Sequence, residues 1–152
     1  DGVRHCLAAA VVLLGATGPG QADPAAVSQT FACLERPFTN ARDFRACLSI
    51  LGAARQQADS QPKTLKLLVE ASNPKTRALS TRIKESLSGG KRKRFEAKLQ
   101  SDGRAWFFEC IQRQNRKSVP EELAVARCNV DAEFWTLNFL FQNYRRAWEE
   151  VK

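Results

Sequence analysis

Cys33 and Cys47 stand 14 positions apart, Cys110 and Cys128 stand 18 apart, and a long cysteine-free stretch separates the two pairs. Four cysteines allow three connectivities, and spacing alone leaves all three open. The local grouping points to Cys33–Cys47 and Cys110–Cys128. Each such bond closes a short loop and contributes roughly 3 kcal/mol by constraining the unfolded chain. Such local pairs suit hairpins of helices or of strands.

Hydrophobic periodicity chooses between them. Phe44, Cys47, Leu48, Leu51 and Ala54 recur at i, i+3, i+4, i+7 and i+10, a helical stripe. Thr39 or Asn40 supplies its N-cap after the Arg36-Pro37-Phe38 turn. A weaker helix over 25–34 precedes it, so the first cysteine pair sits on the two arms of a helical hairpin. Ser60-Gln61-Pro62 then opens a helix whose apolar face runs through Leu65, Leu68, Val69, Leu79, Ile83 and Leu87. Asn73-Pro74 is expected to kink or break it, and Ser88-Gly89-Gly90 to stop it. The pattern resumes from Lys91 with Phe95, Leu99, Trp106, Phe107, Cys110 and Ile111, across a weak point at Asp102-Gly103. Ser118-Val119-Pro120-Glu121 reads as a capping box for a short helix ending near Arg127. A last helix, capped by Asn129 or Asp131, carries Leu137, Leu140, Phe141, Tyr144, Trp148 and Val151. No period-2 alternation or internal repeat appears. The expected fold class is all-α, a helical bundle with an N-terminal helical hairpin and two disulfides.

The beginning of the sequence reads differently. Asp1 to Cys6 include a basic residue, Leu7 to Ala16 form an apolar run of 10, and small residues lead to Gly20-Gln21-Ala22. That is the layout of a secretory signal peptide over residues 1–22, leaving 23–152 as a single domain. A run of 10 is too short for a membrane span, which takes roughly 20 residues. Removal of the leader takes Cys6 away, leaves an even four cysteines and keeps the net charge at +8. An even count in an exported chain favours disulfides over metal ligation.

His5, the one histidine, lies in the expected leader. The mature chain then lacks the usual general base, and with it Ser-His-Asp, Cys-His and histidine-ligated metal arrangements. The cysteine spacings miss C-x-x-C, and no phosphate-binding glycine loop occurs. Glu121-Glu122 and Glu149-Glu150 are adjacent pairs that diverge on a helix, so neither builds a two-carboxylate cleft. The reading is a protein that is not an enzyme, with no cofactor and no metal.

Two positive signals remain. Lys91-Arg92-Lys93-Arg94 is a basic run with three readings in an exported protein: a solvated helix start, a contact for an acidic polymer or anionic surface, or a dibasic processing site. Export argues against a nucleic-acid partner, and no segment supports stable membrane insertion. In the last helix, Phe134, Trp135, Phe139, Phe141, Tyr144 and Trp148 occupy more angles than one buried stripe needs. Either the helix is buried on most sides, or Trp135 and Phe139 sit at the edge of that stripe as candidate contacts for a protein partner, an exported enzyme or a receptor. The sequence carries no signal for an oligomeric state.

Over residues 30–112 the chain resembles the plant invertase and pectin methylesterase inhibitor family. The matching residues are Cys33, Arg36-Pro37-Phe38 and Cys47-Leu48-Ser49-Ile50-Leu51, then Thr64 to Ala71, Ser80 to Leu87, Phe95-Glu96-Ala97-Lys98 and Glu109-Cys110. The resemblance implies an exported four-helix bundle behind a helical hairpin, held by two sequential disulfides, that blocks a carbohydrate-active enzyme in the apoplast. A shorter stretch, Phe31-Ala32-Cys33-Leu34-Glu35 with Asp43-Phe44, Cys47 and Ala53-Ala54-Arg55, is similar to the start of stanniocalcin-type helical hormones. That implies a secreted hormone or cytokine-like ligand. The basic charge alone is also compatible with a host-defence or effector protein acting on anionic surfaces.

Overall fold

The computed structural model describes residues 24–144, and among them every regular element is an α-helix. These are α1 (Pro24–Glu35), α2 (Ala41–Gln57), α3 (Pro62–Ser86), α4 (Gly89–Arg116) and α5 (Glu121–Asn143). The expected leader and the positions of Trp148 and Val151 lie outside the described residues. Both expected disulfides are present, with Cα separations of 5.5 Å for Cys33–Cys47 and 5.6 Å for Cys110–Cys128. The first ties α1 to α2 and the second ties α4 to α5.

α5 is the central element, packed on α3 along one side and on α4 along the other, while in the α1–α2 hairpin α1 lies on α3 and α2 on α5. The family resemblance implies four bundle helices after the hairpin. Among the described residues three follow it, and α2, the hairpin's second arm, packs on α5 beside α3.

Local chemistry explains most of the boundaries. Asn40 takes extended backbone angles and its Oδ1 accepts from the Asp43 N–H at 2.9 Å, while Thr39 Oγ1 donates to Asp43 Oδ2 at 2.7 Å. That cap starts α2 where the sequence places it. Pro62 occupies the first turn of α3, where a missing N–H costs nothing. The glycine pair does end α3, but it also opens α4. Gly89 sits at φ +53°, a left-handed conformation that reverses the chain after Leu87 and Ser88 alone.

Four expectations need correction. Pro74 does not break α3, which runs unbroken through it. Pro74 and Glu70, whose carbonyl loses its donor, are both exposed, so water can take that bond. On the buried side, Ser72 Oγ donates to the Leu68 carbonyl at 2.9 Å and Thr76 Oγ1 to the Ser72 carbonyl at 3.2 Å, so both buried hydroxyls are satisfied within the helix. Asp102-Gly103 is no weak point, because α4 continues through it with Gly103 facing the Trp135 ring. The segments on either side of Cys128 form one helix, α5, and not two. Ser118 is not an N-cap: it has φ +54° and sits in the reversal after α4, with its N–H bonded to the Asn115 carbonyl. Pro120 takes the N-cap position instead, and Glu121 and Glu122 favour the helix start electrostatically.

The core has two parts. The larger draws on Phe44 and Leu51 of α2, Leu79 and Ile83 of α3, Phe95 of α4 and Leu137, Phe139, Leu140 and Phe141 of α5. Within it Phe44 and Phe141 stack with centroids 3.6 Å apart, and Phe38 meets Phe44 edge-on at 5.3 Å. The smaller joins Ala54, Ala58, Leu65, Leu68 and Val130 at the other end of the bundle.

Candidate partner-binding surface

α4 has only two fully buried side chains, Phe95 and Cys110, along 28 residues. It therefore lies on the bundle as an edge helix, with one narrow stripe on α5 and a broad face to solvent. That outer face carries Phe108, 62% exposed. Phe108 is two positions from Cys110, which turns it about 200° from the disulfide and away from the core. Phe107 lies against it, edge to face, with centroids 6.1 Å apart.

Trp106 stands at the rim between α4 and α5, 37% exposed. Its ring faces Trp135 with centroids 6.3 Å apart at 20°, and Trp135 stacks on Phe139 at 5.2 Å and 15°. Phe139 continues edge-on to Tyr144 at 6.0 Å, and Tyr144 to Phe95 at 4.7 Å. An aromatic ladder thus runs from a surface tryptophan into the core, fixing the Trp106 ring without burying it. The Arg113 guanidinium lies 6.0 Å from the Trp106 ring centre, one end of an i,i+4 pair with Glu109.

The ladder relocates both aromatic candidates. Phe139 is not an edge contact: it is 8% exposed and part of the larger core. α5 is covered by α3 on one side and α4 on the other, so apolar residues at several angles are all buried. Trp135 is half-buried, sandwiched by Trp106 and Phe139. The exposed rings, Trp106 and Phe108, belong to α4. Their signal in the sequence was angular: Trp106 and Phe108 cannot share one helix face.

Below the ladder a polar network closes the far end of the bundle. Arg55 pairs with Asp59 and, at 3.0 Å, with Asp131. Arg127 pairs with Asp59 at 2.9 Å, donates to the Asp59 carbonyl at 2.8 Å and to Gln114 Oε1 at 3.0 Å. Burial opposes the Arg55 charge, but the hydrogen bonds and charges of Asp59 and Asp131 outweigh it and raise its pKa. These pairs tie α2 and the turn after it to α4 and α5.

Two grooves flank α3. One, of about 640 Å³ between α1 and α3, is lined by Phe31, Leu34, Leu67, Ala71, Pro74 and Ala78 with Glu35, Glu70 and Lys75. The other, of about 600 Å³ between α3 and α5, is lined by Val69, Val125 and Ala126 among Lys63, Lys66, Glu70 and Glu122. Leu67, 50% exposed, and Val125, 37% exposed, lie in them. Among the described residues no group of three or more His, Cys, Asp or Glu is placed to hold a metal ion, and no helix is long and apolar enough to cross a membrane.

Lys91, Arg92, Lys93 and Arg94 occupy the first turns of α4, all exposed. They lie at the opposite end of α4 from Phe108 and the second disulfide, so the basic and aromatic candidates do not form one site. Comparison with protein-family models, curated proteins and solved structures finds no match for this chain.

Proposed function

We propose that this chain is an exported binding protein, not an enzyme, that inhibits a carbohydrate-active enzyme by docking α4 over its cleft. The observation that carries the reading is the ring of Phe108, 62% exposed on the outer face of α4, a helix bolted to α5 by Cys110–Cys128. Aromatic side chains that are already rigid bind at low entropic cost and supply most of the energy at protein interfaces. Arg113, beside Trp106, adds a residue type enriched at such contacts. Two disulfides suit an oxidising compartment, which supports export. The resemblance to invertase and pectin methylesterase inhibitors supplies the class of target.

The experiment is titration of oxidised protein, residues 23–152, into plant acid invertase and into pectin methylesterase. Stoichiometric inhibition of one enzyme, weakened by Phe108→Ala with the helix content unchanged, is the expected result. No inhibition of either, with both disulfides intact, would overturn the reading and favour a receptor ligand.

A further inference from the structure

The net charge of this protein is not spread over its surface. Residues 28–46 and 75–98 carry 12 Lys and Arg against four Asp and Glu, whereas residues 47–74 and 99–144 carry eight of each. The fold collects the first set at one end. The larger core joins Phe44 at the start of α2, Leu79 and Ile83 in the second half of α3, and Phe95 in the first half of α4. Those three segments carry Arg42 and Arg45, Arg77, Arg82 and Lys84, and Lys91 to Lys98 respectively. The whole excess of +8 among these residues therefore sits around the larger core, and the opposite half is neutral.

The cations there are crowded and under-neutralised. Glu96 is shared by Lys84 and Arg92, each at 3.7 Å, and Lys98 reaches Asp102 at 3.5 Å. Lys91 to Arg94 surround the N-terminus of α4, the positive end of its dipole, where cations are disfavoured. Burial, and then the nearby charge of Arg82, push the Lys75 pKa down. An incoming polyanion relieves these repulsions together.

The apolar groups are segregated the other way. Among the described residues the large exposed hydrophobic side chains are Leu67, Trp106, Phe108 and Val125; none lies on the segments 28–46 and 75–98 that carry the excess charge, and Leu67 alone shares a groove with one of their cations, Lys75. Among the described residues those basic segments present hydrated cations without a large exposed apolar side chain of their own, neither a wedge for a bilayer nor an aromatic anchor for a protein. In a compartment where disulfides persist, that surface fits a hydrophilic polyanion. We propose that the basic end of the bundle, centred on Lys91-Arg92-Lys93-Arg94, binds an acidic polysaccharide through its regularly spaced carboxylate or sulfate groups. Binding is electrostatic, independent of the face that carries Phe108, and weakened by salt.

The test compares two variants of equal charge, both altered at exposed positions. Lys91→Gln/Arg92→Gln/Lys93→Gln/Arg94→Gln removes four cations from the basic end. Lys63→Gln/Lys66→Gln/Arg104→Gln/Arg116→Gln removes four from the neutral half. Fluorescence anisotropy follows binding of a labelled de-esterified oligogalacturonate and, separately, a heparin oligosaccharide. Salt-sensitive binding of either, lost about tenfold or more in the first variant and within about twofold in the second, is expected. Binding of the first alone identifies a carboxylated chain, and of the second alone a sulfated one. Equal losses in the two variants, no binding of either sugar by the unaltered protein, or equally tight binding to phosphatidylserine vesicles would each overturn the proposal. Enzyme inhibition by the first variant stays unchanged, which separates this inference from the inhibitor reading.

Discussion

Ser118 holds a backbone conformation that glycine adopts freely and serine does not, φ +54° at the end of α4. Ser118→Gly relieves that strain and is expected to raise stability by about 0.5–1 kcal/mol, read as a higher urea midpoint with an unchanged slope. Arg127 is the opposite case. Its guanidinium, 15% exposed, satisfies Asp59 and Gln114 together. Arg127→Ala leaves them without that partner and is expected to cost about 1.5–3 kcal/mol in the same assay. Neither role is legible locally. Ser118-x-x-Glu121 has the letters of a capping box, and Asp131 those of an N-cap, yet Asp131 is taken by Arg55, 76 residues away in the chain. A long-range ion pair outcompetes a local cap, and one sequence read in windows does not reveal which wins.

Helices were the most legible level. The hairpin, the cap at Asn40, the proline start of α3 and the break at Ser88-Gly89 all follow from short-range chemistry that the structure retains. What failed were the interruptions. Pro74 and Gly103 weaken a helix taken alone, but burial on the opposite face keeps it whole. Pro74→Ala restores the missing backbone donor within α3 and is expected to stabilise the protein by about 1–3 kcal/mol, checked by thermal unfolding. Slower amide exchange should be confined to the turn around residue 74. Of the two readings of the aromatic helix, burial on most sides holds for Phe139, for a related reason. A single periodic stripe describes a helix with one buried side, and α5 has two.

At the scale of the molecule, two staples hold two different parts of the bundle. Removing Cys33–Cys47 by paired serine substitutions should cost about 3 kcal/mol, and removing Cys110–Cys128 about the same. The two bonds close loops that share no residues, so the losses should be close to additive in denaturant titrations. Their functional consequences should differ. The second disulfide lies on the element that carries Phe108 and Trp106, whereas the first joins α1 to α2, which pack on α3 and α5. The same architecture separates a neutral half with exposed rings from a cationic half without them. That separation was invisible in the net charge and in the basic run alone, because it depends on which segments the larger core brings together.

The account rests on α4 presenting exposed aromatic anchors to an enzyme. The measurement that tests it most directly is the inhibition constant of oxidised wild type, Phe108→Ala and Leu67→Ala against pectin methylesterase and acid invertase, with folding monitored by circular dichroism. Leu67→Ala removes an apolar side chain that is 50% exposed on α3 and serves as the control. The predicted result is inhibition of one enzyme, weakened at least about tenfold by Phe108→Ala, the loss of one interface anchor, and changed by less than about twofold by Leu67→Ala. Inhibition unaffected by Phe108→Ala, or lost only with Leu67→Ala, would contradict the α4 surface as the site of docking.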